Sequence, residues 1–238
     1  MNHPLHDGTY LICGMERSGS TFVYQVLKRL GLNVSKSHSH DPAAHKSVKI
    51  YTHRDPRDVI CSYARTALKP ELESGEIDKS IPGVPREDLR CAIYRLFYRP
   101  NARQLDYRLF LWEASHGAPI VFIKYEDYFL GNEKELVAGL CTFVSQFESV
   151  DASEENIDRI LEECSIEANR KRALKLKDFD EWDEDGVHGD HISVGGISTW
   201  RDEFDWVTAV CVDRHLGDFL VELGYEKDRE WFKKFQGK

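Results

Sequence analysis

Short apolar runs alternate with amphipathic stretches along the whole chain. The β-rich apolar runs predict strands at 9–13, 34–38, 48–52 and 119–124. Apolar residues three and four positions apart predict helices at 20–30, from about Pro56, at 87–115 with an interruption at Pro100, and at 132–147, 153–172 and 205–223. Because strands alternate with helices, we expect an α/β fold, with a parallel sheet flanked by helices on both faces.

The same pattern bears on domain organisation. We find no internal repeat and no long linker, so a single domain over 1–238 is predicted. Two stretches are irregular, 69–86 and 173–199. The second passes from a basic run to an acidic one, which indicates either a solvated face or a lid over an anionic ligand.

Charge and cysteine content narrow the function classes. The chain has 32 Lys and Arg against 41 Asp and Glu, a net charge of −9, which argues against binding to nucleic acid or an acidic membrane. An anionic ligand therefore needs a local basic site. The six cysteines include no Cys-x-x-Cys pair, and no apolar run approaches 18 residues. We therefore predict a cytoplasmic protein with reduced thiols and no membrane span.

The strongest chemical signal lies between the first strand and the first helix. Gly14 and Gly19 bracket a turn with the G-x-x-x-x-G spacing of a nucleotide P-loop. Backbone N–H groups there, with the positive end of the helix, suit a phosphate-like group. Ser20 occupies the position of the usual lysine, and Arg17 offers a positive charge inside the loop. The alternative is a plain strand–turn–helix corner.

The second signal follows the strand at 48–52. That strand delivers Arg54 at its carboxyl end, where open α/β sheets bind ligands, and Ser62 follows on the next helix. An arginine fork with a hydroxyl suits a dianionic phosphate.

With these blocks the sequence resembles the sulfotransferases that use 3′-phosphoadenosine 5′-phosphosulfate (PAPS), which have a P-loop NTPase-like fold. Four family motifs occur in family order between residues 10 and 201. They are Arg17-Ser18-Gly19-Ser20-Thr21-Phe22, then Arg54-Asp55-Pro56-Arg57-Asp58 with Ser62, then Tyr125-Glu126-Asp127, and last Gly195 with Trp200-Arg201.

The resemblance implies a role for each matching residue. The 5′-phosphosulfate would be bound by Arg17, Ser18 and the N–H groups of Gly19, Ser20 and Thr21. Adenine would be bound by Phe22 and Tyr125, and the 3′-phosphate by Arg54, Ser62 and the block at Gly195. The family's lysine–x–histidine matches Lys36-Ser37-His38, which would make His38 the base and Lys36, with Arg17, the stabiliser of the sulfuryl group. The implied product is adenosine 3′,5′-bisphosphate, formed without a metal.

The sequence also departs from the family pattern. Ser193 and Val194 stand where animal cytosolic members have Arg-Lys before the late glycine. One arginine contact to the 3′-phosphate is therefore missing, or it is supplied by Arg201 or the basic run at 170–177. The family's dimerisation motif is essentially absent, so the oligomeric state stays open.

Other functions stay open at this point. A P-loop kinase of a small metabolite and a non-catalytic nucleotide-binding protein share the predicted fold; Ser20 argues against the first and Lys36-x-His38 against the second. A metal site at His38, His40, His45 and His53 is a minor alternative. The acceptor is predicted only as a hydroxyl, or similar nucleophile, of a small molecule, glycan or peptide.

Overall fold

The computed structural model describes residues 8–38, 47–67, 89–90, 93, 102–129, 131–177, 181–189 and 196–237. The chain divides into two compact units. The first comprises Met1–Arg54 and Asp106–Ile192, and the second comprises Asp55–Leu105 and Ser193–Lys238. The expected single domain stays a prediction, and the irregular stretch at 69–86 lies outside the described residues.

The first unit contains a parallel sheet of four strands. These are β1 (Tyr10–Gly14), β2 (Val34–Lys36), β3 (Val48–His53) and β4 (Ile120–Lys124). Their order is β2-β1-β3-β4, and every neighbouring pair is parallel. The predicted α/β fold and the four predicted strands are therefore confirmed, with boundaries one or two residues away from those read from the sequence.

Side chains alternate between the two faces of this sheet, so each face has its own core. On one face, Tyr10 and Ile12 of β1 are fully buried among residues of helices α1, α5 and α6, which are Ser20–Arg29, Glu133–Val144 and Glu154–Cys164. On the other face, Leu11 and Cys13 pack with Tyr51 and with Phe110 of α3, Ala102–Ser115. Helices thus cover both faces, as the apolar runs predicted.

The helix predicted over 153–172 is wrong in one respect, because it is two helices. α6 ends at Cys164, and α7 runs over Ile166–Ala173. Ser165 between them has extended backbone, with ψ 158°, and its hydroxyl accepts the Ala168 N–H. A serine in that conformation is a favourable N-cap, so it begins a new helix instead of continuing the old one. A short helix not foreseen, α4 (Tyr125–Tyr128), follows β4 directly.

The second unit is helical in its described part. It contains α2 (Pro56–Ala67), α8 (Trp200–Glu203), α9 (Trp206–Glu222) and a final 3₁₀ helix, Trp231–Phe235. The Asp205 carboxylate caps α9 by accepting the Thr208 N–H at 2.7 Å. Trp200 and Trp231 meet edge to face at 5.5 Å in its core. Across the described residues, no helix has the length and apolarity that a membrane crossing requires.

Candidate active site

The turn after β1 is held tightly against β3. Gly14 has φ 110°, and a Cβ on it would lie 2.1 Å from the Thr52 carbonyl oxygen. The Met15 N–H donates to that same oxygen at 2.9 Å. Only glycine fits this approach, which explains the first glycine of the motif.

Ser18 fastens the turn from inside. Its hydroxyl is fully buried, donates to the Met15 carbonyl at 2.5 Å and lies 2.6 Å from the Thr52 hydroxyl. Arg17 has φ 60°, a left-handed conformation that is uncommon for a residue with a Cβ and occurs at functional sites. The side chain of Ser18 therefore stabilises the loop, and its predicted contact with the donor stays a prediction.

The turn leads into the N-terminus of α1. The first α-helical bond runs from the Val23 N–H to the Gly19 carbonyl, so the N–H groups of Ser20, Thr21 and Phe22 have no acceptor within the helix. These groups and the helix dipole favour an anion at this end. The first turn of α1 holds no acidic residue to oppose one.

Lys36, the last residue of β2, reaches this helix end. Its Nζ donates to the Thr21 hydroxyl at 2.8 Å. Burial, reinforced by the nearby Arg17 charge and opposed by Glu16, lowers the pKa of Lys36 to about 8. The ammonium group is therefore mostly charged at pH 7, close to the end of α1 that attracts anions.

His38 follows two residues later, and its Nδ1 lies 3.2 Å from the Gly14 carbonyl oxygen. The structure thus brings together three predicted groups, namely the loop, Lys36 and His38. His40, two positions further along the sequence, lies outside the described residues.

Arg54, directly after β3, lies against the same loop. It is 4 % exposed, and its Nη1 donates to the Arg17 carbonyl at 3.2 Å. Its guanidinium carbon lies 4.4 Å from the ring centroid of Tyr125, a cation–π contact. The predicted phosphate ligand and the predicted adenine ligand are therefore neighbours.

Sequence reasoning missed Phe129, which joins the two predicted adenine residues. Its ring stacks on Tyr125 at 4.5 Å and meets the ring of Phe22 edge to face at 5.5 Å. A Cβ on Gly19 would lie 2.3 Å from the Phe129 ring, so the second motif glycine makes room for it. The only sequence signal was that an aromatic residue lies four positions after Tyr125. Residues four positions apart lie on the same side of a helix.

In the second unit, the motif around Ser62 has a structural function that the sequence did not reveal. Asp58 is fully buried and accepts hydrogen bonds from the Ser198 N–H, the Thr199 hydroxyl and the Trp200 N–H. The motif on α2 therefore holds the late block of the sequence in place. Ser62 itself is buried on α2, and its role toward a phosphate stays a prediction.

Arg57 of the same motif lies between two indoles. Its guanidinium carbon is 3.8 Å from the centroid of Trp200 and 4.7 Å from that of Trp231. It pairs with Asp55 at 2.7 Å and with Glu226 at 2.5 Å. Arg57 is thus a core residue of this unit, held by two carboxylates and two rings.

Arg201 and the basic run at 170–177, the two predicted sources of a further 3′-phosphate contact, differ in their contacts and exposure. Gly195 lies outside the described residues, and Arg201 is exposed and lies over the Trp200 ring at 4.6 Å. In the basic run, Arg172 pairs with Asp185 and donates to Asn169 at 2.6 Å. Arg172 therefore fastens the 181–189 segment, and a 3′-phosphate contact from Arg201 or from the rest of the basic run stays a prediction.

The described residues give no support to the alternative of a metal site formed by histidines. Of the four histidines considered, His38 and His53 are described, and no cluster of three potential metal ligands occurs in that part of the chain. Burial lowers the pKa of His53 to about 4, with a smaller contribution from Lys124. Independence from a metal stays a prediction.

Comparison with known proteins gives the family. The family model described as a sulfotransferase domain matches residues 31–227, most of the chain. The chain therefore belongs to the sulfotransferase family, as its motifs predicted. No curated protein sequence matches it significantly.

Solved structures share the fold at low identity. A crystal structure of retinol dehydratase with androsterone and the inactive cofactor PAP matches with a TM-score of 0.60 and 16 % identity, covering 91 % of this chain and 82 % of that one. Mouse sulfotransferase SULT7A1 complexed with PAP matches with a TM-score of 0.62 and 14 % identity, covering 99 % and 90 %. These likenesses support the predicted P-loop-like sulfotransferase fold.

Proposed function

We propose that the protein transfers the sulfuryl group of PAPS to a hydroxyl of a small organic acceptor, with His38 as the base. The observation that carries this proposal is the convergence of Lys36, His38 and the N-terminus of α1 on one loop, through the 2.8 Å contact with Thr21 and the 3.2 Å contact with Gly14. A nucleotide-binding protein without catalytic activity needs no base at this position.

Each group has a separate task in the transfer. His38 takes the proton of the acceptor hydroxyl as its oxygen bonds to sulfur. The bond between sulfur and the 5′-phosphate oxygen breaks, and its electron pair stays on the leaving bisphosphate. Lys36, Arg17 and the N–H groups of Ser20, Thr21 and Phe22 stabilise the charge that develops there. Positioning and electrostatic stabilisation thus provide most of the catalysis, as in phosphoryl transfer.

The donor nucleotide is expected along the array formed by Phe22, Phe129, Tyr125 and Arg54. Phe22 offers a ring to adenine, and Arg54 offers a buried guanidinium to the 3′-phosphate. Support comes from the contacts that hold these four side chains in one row. Ser62 and Gly195 are proposed as further 3′-phosphate ligands on the family resemblance alone.

A small-molecule acceptor is proposed because retinol dehydratase has been crystallised with androsterone and with retinol. A glycan or peptide hydroxyl is the alternative. We also propose a cytoplasmic location, supported by five cysteines that form no disulfide in the described part of the chain. They are Cys13, Cys61, Cys141, Cys164 and Cys211.

Nucleotide selectivity tests the proposal. Adenosine 3′,5′-bisphosphate is expected to bind at least about tenfold more tightly than 5′-AMP, because one charge-assisted hydrogen bond contributes about 1.5–3 kcal/mol. Isothermal titration calorimetry measures both affinities. Arg54→Ala should remove most of the difference, and Ser62→Ala part of it. Arg159→Ala, which changes an exposed arginine on α6, is the matched control and should leave it unchanged.

Two results would contradict this assignment. Equal affinities for the bisphosphate and 5′-AMP would contradict the proposed 3′-phosphate site. Tighter binding of ATP with magnesium than of the bisphosphate would favour the kinase alternative.

Phe129 supplies a second test. Phe129→Leu is expected to weaken bisphosphate binding about tenfold and to leave kcat nearly unchanged, because aromatic pairs contribute about 0.5–1.5 kcal/mol each and this ring makes two of them. Steady-state kinetics with calorimetry separate the two effects. Phe143→Leu is the control, since Phe143 of α5 meets Phe147 edge to face at 5.7 Å. A loss of kcat with unchanged affinity would place Phe129 outside the donor site.

A further inference from the structure

The peptide group between Gly14 and Met15 lies at the carboxyl end of the sheet. β1 is flanked by β3 on one side and β2 on the other. The Met15 N–H of this peptide donates to the Thr52 carbonyl on β3 at 2.9 Å. In a trans peptide the N–H and C=O point in opposite directions, so the Gly14 carbonyl points toward β2. His38 comes two residues after the end of β2, and its ring meets that carbonyl.

The direction of this hydrogen bond is set by chemistry. A carbonyl oxygen only accepts, so at 3.2 Å the Nδ1 of His38 must be the donor. In a neutral imidazole one nitrogen carries the proton and the other has the lone pair. With the proton on Nδ1, the lone pair is on Nε2. The ring then has its basic nitrogen on the side away from Gly14.

We propose that the Gly14 main-chain carbonyl is a positioning group for the reaction, fixing His38 as the Nδ1–H tautomer so that Nε2 takes the acceptor's proton. This inference rests on the proposed function for the identity of the base. After proton transfer both ring nitrogens are donors, and the carbonyl dipole stabilises the cation through Nδ1–H. The proton passes from the acceptor oxygen to Nε2, and the Nδ1 proton stays in place.

The carbonyl is suited to this task because the N–H of the same peptide is hydrogen-bonded to Thr52 on β3. Gly14 is held at φ 110° with no room for a side chain beside Thr52. On the other side, the Ser37 N–H donates to the Ile12 carbonyl at 2.8 Å, which ties the residue before His38 to β1. Both partners of the contact are therefore fixed by the same sheet.

The tautomer can be measured without any turnover. In ¹⁵N-labelled protein at a pH where His38 is neutral, its Nδ1 should give the signal of a protonated ring nitrogen and its Nε2 that of an unprotonated one. His116 is an internal comparison, because its Nδ1 lies 2.8 Å from the Trp112 carbonyl of α3. A His38 ring with the proton on Nε2 would overturn the inference.

Replacing the side chain of residue 38 by Nδ1-methylhistidine tests the consequence for catalysis. This side chain keeps the Nε2 lone pair and loses the Nδ1 donor. We expect kcat to fall about tenfold, the equivalent of one hydrogen bond, and bisphosphate affinity to stay unchanged. The same replacement at residue 116 is the control and should leave kcat unchanged.

The outcomes separate this inference from the proposed function. Full kcat with Nδ1-methylhistidine at residue 38 would overturn the role of Gly14 and leave His38 as the base. Full activity of His38→Ala would instead remove His38 from the reaction altogether.

Discussion

His38→Ala is expected to lower kcat by about 10²–10⁴-fold, the usual contribution of a positioned general base. Binding of adenosine 3′,5′-bisphosphate should stay within about twofold of wild type, which is less than 0.5 kcal/mol. The reason is the separation of tasks around the β1–α1 loop. Lys36 contacts the helix end through Thr21, whereas His38 contacts the Gly14 carbonyl. Turnover with PAPS and calorimetry with the bisphosphate measure the two quantities.

Two variants calibrate this prediction. His116→Ala removes an exposed histidine with the same kind of main-chain contact and should have wild-type turnover. His40→Ala should lower kcat less than His38→Ala does. An active His38→Ala enzyme, or an inactive His40→Ala enzyme with intact binding, would mean that the base has been assigned to the wrong histidine. Partial recovery of His38→Ala by added imidazole would support a proton-accepting role.

The fold could be predicted from the sequence because hydrophobic periodicity is a local signal. β1 was identified as a strand because both of its faces are buried, which requires nearly continuous apolar residues. The break at Ser165 could not be read in this way, because apolar spacing continues across it. Only the serine's own capping hydrogen bond distinguishes two helices from one.

The residues of the candidate site could be predicted where they belong to a recognisable sequence motif. Arg17, Lys36 and His38 were chosen from spacing and from the family resemblance, and they lie around one loop in the structure. The contacts of Asp58 with the backbone at 198–200 could not be foreseen, since they join positions about 140 residues apart. Phe129 was missed for a related reason, because its partners Phe22 and Tyr125 come from two different helices.

In the 181–189 segment, the charge pattern of the sequence does not predict the burial of Asp185. Its acidic residues indicate a solvated face, but Asp185 is 5 % exposed. Its carboxylate pairs with Arg29 at 2.6 Å, with Arg172, and with Lys28 at 3.3 Å. Hydrogen bonds from Arg29 are the largest cause that lowers the pKa of Asp185 to about 2, and the charges of Arg29 and Arg172 add to it.

Asp185→Asn is therefore expected to lower the free energy of unfolding at pH 7 by about 3 kcal/mol, because three partly buried cations lose the carboxylate that they share. The value lies at the low end of the range for such pairs, since Arg29 keeps Glu163 at 2.7 Å. Urea denaturation measures it. Asp158→Asn is the matched control, because Asp158 is half exposed in its pair with Lys134 and should cost less than about 1 kcal/mol.

The pH dependence of this difference has a definite sign. The pKa of Asp185 is about 2 in the folded protein against an ordinary 3.8, so the carboxylate stabilises the fold above pH 4 and loses that contribution as pH falls toward 2. The gap between wild type and Asp185→Asn should be the same at pH 7 and pH 5 and narrower at pH 3. The backbone N–H groups of Asp185 and Val187 donate to the Asp183 carboxylate. Faster hydrogen exchange at these two amides in the variant would show that the lost stability comes from the 181–189 segment. A variant as stable as Asp158→Asn at pH 7, or a gap that widens in acid, would contradict the role of Asp185 in fastening residues 181–189 to α1 and α7.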